Sequence, residues 1–203
     1  MEEKRKTRSE LKREAIVDAA KRAFEAFGVQ GTSMDKLAEM ARVSKRTVYN
    51  HFASKEELVV HLLTELWART MVRVEVPYRA DLSLEDQLET LVRAEVELVS
   101  GPDFLGLSRA AIGYYLFQPE KIADRTAVLH DEDTALHHWL KAAVDDGRLR
   151  PMDVDFAVRQ LHNLVKGSCY WPQLIGLEPE PDETEKQALI DETVALFLSR
   201  YRA

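Results

Sequence analysis

Residues 32–58, TSMDKLAEMARVSKRTVYNHFASKEEL, hold two short helical patterns separated by a turn of three residues. No other stretch of the chain restricts the fold so closely. Thr32 and Ser33 suit the cap of a helix from Met34 to about Ala41, which would bury Leu37, Ala38 and Ala41. Ala41-Arg42-Val43 forms the turn, and Ser44 caps a second helix whose Val48 and Phe52, four residues apart, share the buried face. At about 100° per residue, Arg46 and Asn50 point farthest from that face, Thr47 and Tyr49 flank them, and Lys45 and His51 lie nearer the edges.

The outward groups have the chemistry of a duplex-DNA reader. Arg46 is able to pair with guanine through two hydrogen bonds and Asn50 with adenine, while the Thr47 methyl suits a thymine methyl. Lys45, Tyr49 and His51 have the reach for phosphates on either side. Lys55 opens the next helix, where free backbone amides and a cation suit another phosphate. Small helical proteins that touch no nucleic acid also carry pairs of capped amphipathic helices. Here the caps, turn, apolar spacing, outward face and following lysine all agree.

A net charge of −7 argues against a polyanionic partner until it is divided along the chain. Residues 1–57 carry 13 Lys and Arg against 10 Asp and Glu, a net of +3, whereas residues 58–203 carry 15 against 25, a net of −10. A basic end on an acidic remainder would orient the molecule on DNA, because phosphates repel the acidic part. Lys4, Arg5, Lys6, Arg8, Lys12 and Arg13 form either an arm that adds salt-dependent affinity or a solvated tail.

Residues 15–58 resemble the DNA-binding domain of TetR/AcrR-type bacterial transcriptional regulators, in AIVDAAKRAFEAFG, TSMDKLAEMA and VSKRTVYNHFASKEEL. The resemblance implies that Thr32 and Ser33 approach one phosphate strand and that Lys55 clamps the backbone. It places Ser44, Lys45, Arg46, Thr47, Tyr49, Asn50 and His51 in or beside the major groove. One position departs from the common pattern: Arg42 stands where that turn often has Gly, and a positive φ there would cost a non-Gly residue of order 1 kcal/mol.

The rest of the chain reads as all-α. Only 8 Gly and 7 Pro occur in 203 residues, alternating β-branched runs are absent, and apolar residues recur at three- and four-residue steps. About nine helices are expected. The first runs from about Ser9 to Phe27, burying Ile16, Ala20, Ala23, Phe24 and Phe27, with Gly28 to end it. A fourth starts near Ser54 and continues to about Val74, before Pro77. Five more fit Leu84–Val99, Phe104–Phe117, Asp124–Asp146, Val154 to about Leu174, and Glu183–Tyr201. The division expected is a three-helix helix-turn-helix head over residues 1–53 and a larger ligand-binding and dimerisation domain over residues 54–203.

Two of these helices are candidates for a dimer surface. In the last, Ile190, Val194, Phe197 and Tyr201 form a stripe at spacings of four, three and four. In the one before, Gly167 and Ser168 remove side-chain bulk while Leu161 and Leu164 supply apolar contact. Both helices could instead close the monomer's own core. TetR-like proteins pair these helices with their symmetry mates, which implies two reader helices about one DNA turn apart and a palindromic operator.

Trp67, Met71, Phe104, Tyr114, Phe117, Trp139, His162 and Tyr170 combine aromatic walls with a few polar tips, as apolar ligand pockets do, although aromatics at helical spacing also serve as plain core. The stretch HHWLKAAVDDGRLRPMDVDFAVRQLHNLVKG resembles the sensor domain of the AefR-like TetR subgroup. That resemblance does not identify the ligand; the aromatic walls suit an apolar or aromatic small-molecule effector. No cofactor is expected. His130, His137, His138 and His162 lack the tight spacing of metal ligands. Ser108, Ser168 and Cys169 lack a nucleophile's setting, so no catalytic residue is assigned.

No apolar run approaches the roughly 18–20 residues that span a bilayer, and the charged start lacks a signal-peptide core, so a cytoplasmic protein without a membrane partner is expected. The single cysteine, Cys169, leaves no internal disulfide and reads as a buried filler. The resemblance implies a homodimeric repressor released from its operator by a small molecule. Two alternatives stay open: a DNA-binding regulator without such an effector, and an enzyme or adaptor that retains the head.

Overall fold

The computed structural model describes residues 7–68, 76–116 and 134–203. Among these residues there are ten helices and no strand. The chain divides into two compact units. The first comprises residues 7–63 and 106–116, the second residues 64–68, 76–105 and 134–203.

The first unit opens with α1, Arg8–Phe27. Thr7 caps it, accepting from the Glu10 amide while the Glu10 carboxylate accepts from Thr7 N, a reciprocal box that supplies partners to two amides. Gly28 ends it at φ 67°, its N–H bonded to Phe24 O. Ile16, Ala19, Ala20 and Ala23 are fully buried; Phe27, expected inside, is 49% exposed with Lys36 Nζ 3.0 Å from its ring centre. α2, Met34–Ala41, and α3, Lys45–His51, follow, and α1 packs on both. α4, Lys55–Trp67, leaves the first unit near Leu63 and ends in the second. The continuation to Val74 lies outside the described residues.

In the second unit α5, Leu84–Ser100, presents Leu88, Val92, Val96 and Val99 to the core at helical spacing. α6, Pro102–Tyr115, begins in this unit and ends in the first. α7 is Ala135–Asp145, capped by Thr134; the expected earlier start at Asp124 falls outside the described residues. α8, Val154–Cys169, packs on α5, α7 and the terminal helix, α10, Glu183–Tyr201.

One expected helix is two. The Val154–Leu174 pattern breaks at Tyr170 (φ −130°, ψ −60°), and a single turn, α9, covers Trp171–Leu174. Pro172 explains the break, since it has no N–H to bond back and its ring crowds the preceding turn. At the other end of the unit the carboxy terminus is tied down: Arg150 N donates to Tyr201 O at 2.8 Å and Ala203 N to Arg148 O at 3.2 Å.

Candidate nucleic-acid interface

The reader is built by caps and a turn. Ser33 accepts from Lys36 N at 3.2 Å and Ser44 from Thr47 N at 3.1 Å, so each short helix begins with a satisfied amide. Between them Arg42 adopts the left-handed conformation (φ 55°, ψ 41°), its N–H turned back to the carbonyls of Ala38 and Glu39. This is the conformation that favours Gly, held here by an exposed arginine. Val48 is fully buried and Phe52 2% exposed, with the Arg13 guanidinium 4.8 Å above the Phe52 ring. α3 is thereby rotated so that Ser44, Lys45, Arg46, Tyr49 and Asn50 are exposed, while Thr47 and His51 are half-buried.

Two expected phosphate contacts are otherwise engaged. Thr32 is 2% exposed, and its hydroxyl donates to Gly28 O at 2.8 Å and Ala23 O at 3.2 Å; it fastens α2 to the end of α1. Lys55 donates from Nζ to Val29 O at 3.0 Å and Thr32 O at 3.4 Å, neutralising carbonyls of the α1–α2 connection rather than standing free at the surface. Lys45 is exposed but paired with Asp35 at 2.7 Å, and that hydrogen bond and charge raise its pKa. Asp35 was not foreseen as part of the site. Its only trace in the sequence is an acid in the first turn of α2, where the helix dipole already accounts for one.

The residues expected to line a ligand cavity fall into three clusters of the second unit. Trp139 is fully buried; its indole N–H donates to Gln87 Oε1 at 3.2 Å and Tyr78 packs on its edge. It is core, and its polar tip is satisfied within the chain. Phe104, Tyr170 and the exposed Trp171 form a second cluster, with ring centres 6.0 and 5.0 Å apart. Trp67 and His162 form the third, 5.8 Å apart. Met71 and Phe117 lie outside the described residues, as do the side chain of Tyr114 and His130. A groove of about 610 Å³ sits elsewhere, along α5 and α10, lined by Glu85, Glu89, Asp191, Arg150 and Arg202.

The dimer stripe also needs correction. Leu161, Ile190, Val194, Phe197 and Tyr201 are all at most 8% exposed within the single chain, because α8 and α10 use those positions to pack on each other and on α5. Tyr201 OH adds a hydrogen bond to Gln160 Oε1. Leu164, Gly167 and Ser168 of the same expected set do face outward, beside exposed Phe156, and α10 exposes Leu196. Cys169 is fully buried, and burial pushes its thiol up to about 12.

A capped helix pair with a polar, partly cationic outer helix on an all-α frame defines a helix-turn-helix DNA-binding protein. Family models match on both sides of that frame: the tetR family of bacterial regulatory proteins over residues 16–62 and the carboxy-terminal domain of AefR-like transcriptional repressors over residues 86–203. The chain belongs to the TetR family of transcriptional regulators. It is 30% identical over 171 residues to the HTH-type transcriptional regulator SrpR of Pseudomonas putida, an alignment covering 82% of this chain and 78% of that protein. The crystal structure of a TetR family transcriptional regulator from Pseudomonas syringae pv. tomato str. DC3000 matches with a TM-score of 0.72 at 38% identity, spanning 94% of this chain and 96% of that one. FadR of Bacillus subtilis, solved in complex with stearoyl-CoA, matches in fold alone, with a TM-score of 0.63 at 17% identity over 92% and 97% of the two chains. No described helix is long and apolar enough to cross a membrane.

Proposed function

We propose that this regulator is a cytoplasmic homodimeric repressor that reads a palindromic operator through α3 and leaves it when a small molecule enters the second unit. The observation that carries the reading is the face of α3: Arg46, Tyr49 and Asn50 exposed on one side, Val48 and Phe52 buried on the other. Base edges are read by Arg46 and Asn50, with Thr47 against a thymine methyl; Ser33, Ser44, Lys45, Tyr49 and His51 meet the flanking backbone.

Dimerisation uses the outward side of α8. Phe156, Leu164, Gly167 and Ser168 lie on it, and a Cβ added at Gly167 would meet nothing within 4 Å in the monomer. A small residue with open space above it gives a second helix room for close approach. Two-fold pairing would set two α3 helices one DNA turn apart.

Release follows from α4, which begins in the first unit and ends in the second at Trp67. A ligand preferring one placement of Trp67 biases the position of that helix, and a coupling of about 1–3 kcal/mol weakens operator binding roughly 5- to 150-fold. That a fold neighbour holds stearoyl-CoA supports the view that such a frame accommodates an apolar ligand. The test is selection of bound genomic fragments by the purified protein at near-physiological salt, then titration of the recovered DNA. An inverted repeat with half-sites one turn apart is expected; enrichment without a repeat would rule out the dimeric reader.

A further inference from the structure

Among the described residues, a buried donor in the second unit has no partner inside the chain. Trp67 is 4% exposed, and its indole Nε1, shielded from solvent, makes no hydrogen bond. Buried N–H groups almost always find an acceptor, so an orphan marks a place where something else supplies one. Trp139 is the internal control: also buried, on the same unit, and bonded to Gln87.

The surroundings of Trp67 are cationic and polar in an ordered way. Lys166 Nζ lies 5.1 Å from the indole ring centre and makes no ion pair among the described residues. His162 lies 5.8 Å from the same ring, and its Nδ1 is 2.6 Å from Oε1 of Glu95, a carboxylate only 2% exposed. The carboxylate holds the imidazole's orientation through Nδ1 and leaves Nε2 free of that contact. Glu95, His162 and Lys166 sit on α5 and α8, which pack together, so the group is held by two helices rather than by a loop.

We infer that this cluster is the polar end of the effector site, and that the effector is an organic acid or phenol whose anionic oxygen accepts from Trp67 Nε1 beside Lys166 and His162. The inference rests on the ligand-release reading above and names the chemistry that reading leaves open. Indole and imidazole faces suit an apolar or aromatic body; an unpaired donor with a nearby cation suits a carboxylate or phenolate and rejects an amine. Glu95 Oε1 is taken up by His162 Nδ1 at 2.6 Å, so that carboxylate oxygen is turned to the imidazole rather than to the indole N–H.

The test uses the full-length protein and three pairs of probes with equal bodies and opposite charge: benzoate and benzylamine, 1-naphthoate and 1-naphthylmethylamine, octanoate and octylamine. The indole ¹⁵N–H signal of Trp67 is assigned by its loss in Trp67→Phe, whose fold is checked by near-ultraviolet circular dichroism. At least one acid should shift that signal downfield and bind about ten-fold or more tightly than its amine. Trp67→Phe and Lys166→Met should each cut the preference to about two-fold or less. Lys166 is half-buried and makes no ion pair among the described residues, which keeps the second variant informative should the first lose its fold. An unmoved Trp67 signal with all three acids, amines that bind as well as acids, or an undiminished preference in Lys166→Met would overturn the site. An acid that engages Trp67 and leaves operator affinity unchanged would instead overturn ligand release and keep the site.

Discussion

The two units use aromatic and polar side chains in opposite ways. In the first, Tyr49 is 45% exposed and Phe52, the residue that caps the end of the same short helix three positions on, is buried, and their spacing alone separates reader from support. In the second, Trp67, Trp139 and Trp171 all stand at helical spacings, yet one carries an unbonded donor, one is satisfied core and one is half-exposed. The difference lies in what each unit packs against. A helix of seven residues with one buried stripe has a single way to sit. In a multi-helix body every face meets something, and sequence period does not say whether that is a helix, a ligand or another subunit.

The largest effect should come from Phe52→Ala against Trp139→Ala. Each removes a buried aromatic and should cost about 3–5 kcal/mol, but Phe52→Ala should abolish operator binding with the body's near-ultraviolet signal retained, whereas Trp139→Ala should lower the melting temperature of the second unit. Equal loss of both signals in both variants would mean that the units do not unfold separately.

Next is Arg46→Ala, expected to cost about 1–3 kcal/mol on the selected operator and to relax preference at one base pair per half-site, read by competition among single-base variants. Uniform weakening would make Arg46 a phosphate contact. Lys55→Met sharpens the contrast between reader and support. It leaves the carbonyls of Val29 and Thr32 without their donor, so about 1 kcal/mol of stability should be lost while the salt dependence of DNA binding keeps its slope. A slope reduced by about one would restore Lys55 to the backbone clamp that the sequence suggested.

Arg42→Gly should stabilise the first unit by up to about 1 kcal/mol, relieving φ 55° at an exposed position, measured by thermal melting. The smallest effect is expected for Asp35→Asn. The Lys45 pair is well exposed and screened by solvent, so stability should be unchanged within error, while operator affinity rises a few-fold at low salt because Lys45 is released toward phosphate.

Much of the head is legible in the sequence alone. Ser33 and Ser44 are recognisable caps, Gly28 a recognisable stop, and Val48 and Phe52 fix the rotation of α3. The left-handed turn at Arg42 was signalled only by the resemblance, which often has Gly at that position. What the sequence did not show there is that two expected contacts already have partners inside the chain: Thr32 bonds two carbonyls nine residues or fewer away, and the partly buried Lys55 reaches back 26 residues to Val29. A polar residue beside a reader helix resembles a phosphate contact until its partner is known.

In the body, the elements were legible and their allegiance was not. The break at Pro172 was available to reading, since proline marks it locally. The burial of Ile190, Val194, Phe197 and Tyr201 was not, because a stripe shows that a face is covered without saying by which chain. Local spacing, capping and charge therefore determined the helices and the outward face of α3, which depend on residues within a few turns, while the family came from the resemblance of the head's motifs. Only the tertiary structure decided that Trp139 is satisfied and Trp67 is not, and that Glu95 meets His162 across 67 residues, because those pairings join helices far apart in the chain.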